Sequence, residues 1–155
     1  MTLRANAPLP DRAIVIECDL PHAAGKVWRT LTEPALLAKW LMPNDLRLEV
    51  GHRFTFQAAA VNEWRGVVHC EVLAVEPKRR LSYAWRGDAP NPDGYGERLD
   101  TVVTWTLTPI DTGTRLLLVH DGFPPASFAV DGMRGVWSRL VTGCIAGLLA
   151  REASI

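Results

Sequence analysis

The spacing of apolar residues changes twice along this chain, and that change most restricts its fold. From about residue 46 to residue 120, apolar side chains recur at every second position, which is the period of a β-strand with one buried face. On either side of this region they recur every three or four residues, which is the period of an amphipathic helix. This order predicts an antiparallel sheet covered by a C-terminal helix, with shorter helices near the start of the chain.

Seven segments have the pattern of a strand. A β-branched run at 13–19 comes first, and Pro21 ends it. After two short helices, six two-periodic segments follow at 46–50, 54–56, 64–75, 81–86, 103–107 and 114–120. The predicted fold class is therefore α+β: a curved antiparallel sheet of about seven strands wrapped around a long C-terminal helix, with two short helices after the first strand.

The helical segments have recognisable faces and ends. Apolar residues at helical spacing over 24–31 predict the first short helix, and Thr32 followed by Pro34 predicts Thr32 as the N-cap of the second. The last helix has a continuous apolar stripe: Met133, Trp137, Leu140, Val141, Cys144 and Leu148. Its glycines, Gly143 and Gly147, indicate either a close approach to a bulky neighbour or ordinary packing of helix on sheet.

Composition and charge exclude several classes of protein. The chain has 155 residues, 48% of them apolar, and its 17 Lys and Arg balance 17 Asp and Glu. This length favours one domain, which we expect to span 12–151 after a tail at 1–11. Zero net charge argues against nucleic-acid binding and against a polybasic anchor. The first residues contain no apolar segment typical of a secretory signal, and the longest apolar run is too short to cross a bilayer, so we predict a cytoplasmic protein without membrane insertion.

Motifs for covalent, nucleotide and metal chemistry are missing from the sequence. It contains no CxxC, HExxH, GxGxxG, GxSxG or Walker-type pattern, and we predict neither a metal nor a cofactor. The three cysteines, Cys18, Cys70 and Cys144, lie among apolar residues and are interpreted as buried thiols. His69 and Glu71 share one face of a predicted strand, which is more typical of a solvated pair than of a metal site.

One segment near the N-terminus resembles a known family. The stretch 27–34 (VWRTLTEP), followed by Leu37, Lys39-Trp40-Leu41 and Pro43, is similar to the opening motif of the activator-of-Hsp90-ATPase-homologue family. Further similarity at 50–56, 71–85 and 113–123 extends the resemblance over about residues 12–150. That family belongs to the START-like superfamily, also called SRPBCC or Bet v 1-like, whose members share a helix-grip fold.

The resemblance implies three alternative functions. Members of the superfamily bind lipids, hormones or polyketides, some cyclise aromatic polyketides, and the family namesake stimulates the ATPase of a chaperone. In order of preference, we expect a non-catalytic domain that binds a small apolar or aromatic molecule, a co-chaperone-like interaction domain, or a cyclase-like enzyme acting on a hydrophobic substrate. One departure concerns the site: the family opens its last helix with a Gly-Trp pair, whereas Val136 separates Gly135 from Trp137 here.

Inward-facing positions of the predicted strands and helix converge on one space. If Leu81, Tyr83 and Trp85 face inward, period-two alternation places the matching positions of the neighbouring strands on the same face. The predicted ligand-binding cavity is lined by Phe54, Phe56, Tyr83, Trp85, Val103, Trp105, Leu116, Leu118, His120, Met133, Trp137 and Leu140. Rings offer a large contact area to a flat ligand. The alternative is that these side chains fill the space themselves.

Two polar residues of the predicted cavity are candidates for acid–base chemistry. His120 ends an inward-alternating run, where a neutral imidazole could orient a ligand hydroxyl or act as a general base, and Tyr83 is the second candidate. The alternative for His120 is a histidine hydrogen-bonded to the backbone at a strand end. We favour this alternative and predict no catalytic residue.

Surface features leave further alternatives open. The loop at 87–97 is rich in proline and glycine, and Tyr95 within it is interpreted either as a lid over the cavity or as part of a plain connection. A homodimer is compatible with a small domain, although no apolar stripe is left over to demand one. The evenly mixed charges outline no surface for a chaperone partner.

Overall fold

A computed structural model of the chain describes residues 13–57, 67–88, 98–123 and 129–151. The expected tail at 1–11, Trp64 and the candidate lid residue Tyr95 lie outside the described residues. In chain order the elements are β1 (Ala13–Leu20), α1 (Ala24–Thr32), α2 (Pro34–Trp40), β2 (Arg53–Gln57), β3 (Val67–Glu76), β4 (Arg80–Asp88), β5 (Arg98–Ile110), β6 (Gly113–Asp121), α3 (Ala129–Arg139), a π-helical segment (Leu140–Ile145) and α4 (Ala146–Arg151). Within the described ranges, no helix has both the length and the apolar character needed to cross a membrane.

The strands form one antiparallel sheet in the order β1-β6-β5-β4-β3-β2. The first strand therefore lies beside the last, and β1 and β2 are the two edges. The register aligns inward-facing residues across the sheet in the sequence Tyr83, Val103, His120 and Ile14. The sheet, the two short helices and the C-terminal helix confirm the predicted α+β helix-grip architecture.

The strand predicted from Leu46, Leu48 and Val50 is not formed, so the described sheet has six strands rather than about seven. Leu46 is buried, whereas Leu48 and Val50 are 40% and 68% exposed. Gly51 adopts φ 89°, and its N–H donates to the Val72 carbonyl at 2.8 Å. The segment is a turn that leads into β2. The alternation was misleading because it did not correspond to a buried face.

The boundary between the short helices differs from the predicted one. Thr32 is the last residue of α1, and its hydroxyl donates to the Trp28 carbonyl at 2.8 Å. The N-cap of α2 is Glu33, so the prediction of Thr32 as the cap was wrong. A threonine hydroxyl bonds readily to the carbonyl four residues earlier when a helix precedes it. Trp40 Nε1 donates to the Thr30 carbonyl at 2.9 Å, which holds α2 against α1.

The C-terminal helix is interrupted by one wide turn. In an α-helix of about 3.6 residues per turn, residues four positions apart lie at gradually changing angles around the helix axis. A π-helical turn contains more residues, so it shifts the following residues back in the opposite direction. The buried residues of this helix are Met133, Trp137, Val141, Ile145, Leu148 and Leu149. Leu140 is only half-buried and Cys144 is exposed. Leu140 still packs against the core, so the stripe predicted for a straight α-helix was wrong only at Cys144.

The environments of the cysteines and of Gly143 also differ from expectation. Cys70 is buried as predicted, whereas Cys18 is half-buried and Cys144 is exposed. Burial raises the pKa of the Cys70 and Cys18 thiols, which favours their protonated form. Gly143 is exposed, and a Cβ placed on it would meet nothing within 4 Å, so it marks no close approach.

A close approach does occur at Gly113, in the tight turn between β5 and β6. Its φ is 150°, and a Cβ at this position would collide with the Leu20 carbonyl oxygen. The turn signal in 111–113 is thereby confirmed. The Thr114 hydroxyl donates to the His22 carbonyl at 2.7 Å, which fastens the exit of β1 to this hairpin.

Candidate functional site

Eight buried rings lie where the sheet faces the C-terminal helix, and we call this set the aromatic cluster. Its members are Phe54, Phe56, Tyr83, Trp85, Trp105, His120, Phe123 and Trp137, each at most 3% exposed. Period-two alternation places the members from β2, β4, β5 and β6 on one face of the sheet. Trp137 comes from α3, and Phe123 follows β6. The cluster therefore joins both layers of the fold.

Trp137 is central to the contacts between these layers. Its ring centroid is 5.5 Å from that of Trp85, 5.7 Å from that of Trp105 and 6.0 Å from that of His120, in edge-to-face pairs. Other neighbouring rings of the cluster have centroids 4.7 to 6.2 Å apart. Such distances are those of rings in contact. These rings therefore pack directly against one another.

Of the twelve residues predicted to line a cavity, the structure buries eleven, and the twelfth packs against the same core. The buried ones are Phe54, Phe56, Tyr83, Trp85, Val103, Trp105, Leu116, Leu118, His120, Met133 and Trp137. The twelfth, Leu140, is half-buried at the start of the π-helical segment. The role of these residues in binding a ligand stays a prediction.

Two open depressions of the surface lie apart from most of this cluster. One, of about 540 Å³, is lined by Glu76, Arg79, Arg80, Thr106, Leu107, Thr108 and Pro109. The other, of about 350 Å³, is lined by Asp45, Arg53, Phe54, Thr55, His69, Cys70 and Arg86. Phe54 is the one member of the aromatic cluster on their walls. These concave surfaces and the cluster are therefore largely separate features of the molecule.

His120 is fully buried and hydrogen-bonded through both ring nitrogens. Trp137 Nε1–H donates to His120 Nδ1 at 3.0 Å. Because an indole N–H only donates, Nδ1 must present a lone pair, and the neutral ring carries its proton on Nε2. His120 Nε2 lies 2.7 Å from Thr101 Oγ1, and the Thr101 hydroxyl donates to the Trp85 carbonyl at 2.9 Å. The hydrogen bonds therefore run in one direction, from Trp137 through His120 and Thr101 to Trp85.

Burial also keeps His120 uncharged. It lowers the pKa of the imidazole to about 3. The hydrogen bonds agree, since an imidazolium would point a second N–H at the indole N–H of Trp137. This arrangement disfavours His120 as a general base and supports a structural role. Its partners are the side chains of Trp137 and Thr101 rather than the backbone.

Tyr83, the second candidate for acid–base chemistry, is fully buried as well. Its hydroxyl oxygen accepts a hydrogen bond from Trp105 Nε1 at 3.0 Å. Burial raises the pKa of the Tyr83 phenol far above its usual range, so the hydroxyl stays protonated at neutral pH. Tyr83 is therefore suited to packing and to hydrogen bonding, and not to accepting a proton from a substrate.

Thr101 and Phe123 belong to this site, yet sequence reasoning missed both. Thr101 is 1% exposed and lies on the same face of β5 as Val103 and Trp105. Thr101 lies two positions before Val103, so the alternation of the strand places it on the inward face. A search for apolar residues alone does not select a threonine. The Phe123 ring lies 4.7 Å from that of His120. Strand periodicity does not reach Phe123 because it follows the end of β6.

The outer face of the same sheet carries charged side chains. Glu71 lies 3.8 Å from Arg53 and 3.8 Å from Arg86, and Arg86 lies 3.2 Å from Asp100. His69 is exposed, which agrees with a solvated pair at His69 and Glu71. In the part of the chain that the structure describes, no three His, Cys, Asp or Glu side chains are grouped to hold a metal ion.

Solved structures share this fold over most of the chain. Protein MLL2253 from Mesorhizobium loti is 39% identical with a TM-score of 0.77, and the match covers 93% of this chain and 100% of that one. Protein BH1534 from Bacillus halodurans is 26% identical with a TM-score of 0.71, covering 88% of this chain and 96% of that one. DynU16, described as a putative protein in the dynemicin biosynthetic locus, is 23% identical with a TM-score of 0.75, covering 92% of this chain and 48% of that one.

A family model gives the chain its place among known sequences. No curated protein matches the chain. The family described as Activator of Hsp90 ATPase homolog 1-like protein matches residues 21–149. This range contains the opening motif at 27–43, five of the six strands and nearly all of the last helix. The chain therefore belongs to the Activator of Hsp90 ATPase homolog 1-like family, whose fold is of the SRPBCC, START-like type.

Proposed function

We propose that this protein binds a small apolar or aromatic molecule between its sheet and its C-terminal helix, without covalent chemistry. The main support is the aromatic cluster, in which rings from three neighbouring strands, β4, β5 and β6, contact Trp137 of α3. A flat ligand that slides among these rings replaces ring–ring contacts with ring–ligand contacts of the same kind. The new ring–ligand contacts offset part of the free-energy cost of separating the packed rings.

The helix side of the cluster is the side that can adjust. The π-helical segment begins three residues after Trp137. Such wide turns are frequent at functional sites. Met133, which is buried on the same helix, has a flexible side chain that repacks readily around a new neighbour. These features support entry of a ligand by movement of the helix side, with the strand pairing kept.

The other two functions implied by the family resemblance have less support. A cyclase-like enzyme needs an available acid or base, whereas both nitrogens of His120 are hydrogen-bonded and Tyr83 keeps its proton. For a chaperone partner, no observation on the described residues favours one surface. DynU16, described as part of a biosynthetic locus, is compatible with a small-molecule role for this fold.

The indole N–H signals of the tryptophans provide a position-specific test. 2-Naphthol is titrated into ¹⁵N-labelled protein, and each indole signal is assigned by a Trp→Phe substitution. We expect the signals of Trp85, Trp105 and Trp137 to shift with one common dissociation constant. The signal of Trp28, which lies on α1 outside the cluster, should shift far less.

A charged ligand with the same rings serves as the control. Naphthalene-2-sulfonate should leave the three indole signals in place, because an unpaired charge in this interior is strongly unfavourable. No saturable shift with 2-naphthol, or shifts confined to Trp28, would contradict the proposed function. Equal shifts with naphthalene-2-sulfonate would show that 2-naphthol binds at the protein surface, which would also contradict the proposed function.

A further inference from the structure

We infer that the indole of Trp137 occupies the position of the ligand's ring system, and that Nδ1 of His120 accepts a hydrogen bond from the ligand. This inference rests on the proposed function and names its ligand class. That class is a flat aromatic molecule about the size of an indole, with a hydroxyl or N–H group on its edge. His120 is then a specificity-determining residue.

The direction of the hydrogen bonds leaves one nitrogen of His120 for a ligand. His120 Nε2–H donates a hydrogen bond to Thr101 Oγ1 at 2.7 Å, and the Thr101 hydroxyl donates one to the Trp85 carbonyl at 2.9 Å. These residues belong to β4, β5 and β6, which are neighbours in the sheet and are held by strand pairing. His120 Nε2 is thus fixed as a donor within the sheet. His120 Nδ1 is an acceptor whose partner comes from the helix.

Trp137 is the movable partner of that acceptor. It is the one member of this hydrogen-bonded chain that lies on the helix rather than in the sheet. Rotation of its side chain, or a small shift of α3 at the π-helical segment, withdraws the indole without breaking any strand pair. Its departure frees both a flat space and a hydrogen-bond acceptor.

The freed space has defined chemistry. Rings of Trp85, Trp105 and His120 border it, since their centroids lie 5.5 to 6.0 Å from that of Trp137. An aromatic ligand without a donor would leave the buried Nδ1 of His120 unsatisfied, which is unfavourable. A ligand with a hydroxyl or N–H group restores the bond that Trp137 gave up. The site should therefore select phenols and N–H heterocycles over their alkylated counterparts.

Two matched ligands test the requirement for a donor. 2-Naphthol and 2-methoxynaphthalene have the same rings, but only the naphthol donates a hydrogen bond. We expect the wild-type protein to bind 2-naphthol about tenfold more tightly. Binding should also shift the ¹⁵N signal of His120 Nδ1 and the indole signal of Trp137.

Two variants test whether His120 causes the preference for 2-naphthol over 2-methoxynaphthalene. In His120→Phe the preference should disappear or reverse, because the ether is the more apolar ligand. Trp28→Phe is the control: it changes another buried indole, on α1 outside the aromatic cluster, without touching His120. The control should keep the roughly tenfold preference.

Chemical complementation tests whether an added ligand can occupy the space of the Trp137 indole. Trp137→Ala removes the ring and the donor together. Indole added to this variant should raise its melting temperature more than benzothiophene does, since benzothiophene has the same shape and no N–H group. Equal effects of the two compounds would contradict the role of His120 Nδ1.

The outcomes separate this inference from the proposed function. Equal or tighter binding of 2-methoxynaphthalene by the wild-type protein overturns the inference and leaves the proposed function standing. Binding of neither naphthalene overturns both. If His120→Phe fails to fold, the ligand preference and the shift of His120 Nδ1 in the wild-type protein decide the question.

Discussion

The two faces of the β-sheet hold their polar groups in opposite ways. On the outer face, Arg115 donates to Asp19 at 2.8 Å, and this hydrogen bond holds the pKa of the exposed carboxyl below its usual range. On the inner face, burial lowers the pKa of His120 and keeps the ring neutral between Trp137 and Thr101. The outer contact depends on charge, whereas the inner one depends on the absence of charge.

One residue along the chain separates these environments. Arg86 lies opposite Asp100 on the outer face, while the adjacent pair Trp85 and Thr101 faces inward. Exposed ion pairs are screened by water and contribute little to stability. Buried polar atoms are strongly unfavourable when they lose a partner. The outer contacts should therefore be replaceable one at a time, whereas the inner hydrogen bonds act as a unit.

Truncating two neighbouring side chains of β5, one on each face of the sheet, should give the largest difference in stability between the faces. Trp105→Ala removes a fully buried ring and its hydrogen bond to the Tyr83 hydroxyl, and we expect the free energy of unfolding to fall by about 3–5 kcal/mol. Thr104→Ala removes a contact with the Ser82 hydroxyl and should cost about 1 kcal/mol or less. Urea unfolding followed by circular dichroism measures both. Equal losses would contradict the difference between the faces.

Acid should weaken the inner face through His120. The pKa of His120 lies near 6.5 when exposed and about 3 in the folded protein, so between these values the unfolded chain binds a proton that the folded protein does not. The free energy of unfolding should fall as the pH drops below about 6.5, by up to ~1.4 kcal/mol per pH unit. This decline should end near the folded pKa.

The comparison with His120→Phe isolates this pH dependence. The stability of the wild-type protein relative to this variant should fall between neutral pH and about pH 4, as measured by urea unfolding at each pH. A difference that stays constant over this range would show that the folded protein does not hold His120 neutral.

Removing the hydroxyl of Thr101 tests whether the inner hydrogen bonds act as a unit. Thr101→Val keeps the shape but leaves His120 Nε2–H without its acceptor, and we expect a loss of about 1–3 kcal/mol in the free energy of unfolding. Thr106→Val, at an outward and half-buried position of the same strand, should change it by no more than about 0.5 kcal/mol. Similar values for the two variants would argue against a directed chain of hydrogen bonds.

The smallest effect is expected from the outer charges. Arg86→Ala removes the contacts with Glu71 and Asp100, and we expect a loss below about 1 kcal/mol, reduced further by added salt. Unfolding at low and high salt measures it. A salt-independent loss above about 2 kcal/mol would mean that these contacts are more than screened surface pairs.

Alternation predicted the faces of the strands well. Phe54, Tyr83 and Trp105 were assigned to the interior by position alone, and all are buried. This works because the local geometry of a strand sends successive side chains to opposite faces, whatever packs against the sheet. The same rule failed at Leu48 and Val50, where the chain forms a turn and both residues are exposed.

Helical periodicity predicted the buried face of the last helix less well. Cys144 and Ile145 are adjacent apolar residues, yet Ile145 is buried and Cys144 is exposed. The π-helical turn decides between them, and a pattern written for about 3.6 residues per turn does not contain it.

Reading the residues in order is enough to establish the order of the elements, the inward positions of the strands and the family resemblance. Three features depend on the folded chain: contact among the aromatic rings, the acceptor role of His120 Nδ1 and the wide turn in the last helix. Periodic signals connect residues two to four positions apart. His120, in contrast, meets Thr101 across 19 positions and Trp137 across 17. No local pattern specifies which atoms of such distant residues meet, because only packing of the whole sheet against the helix brings them together.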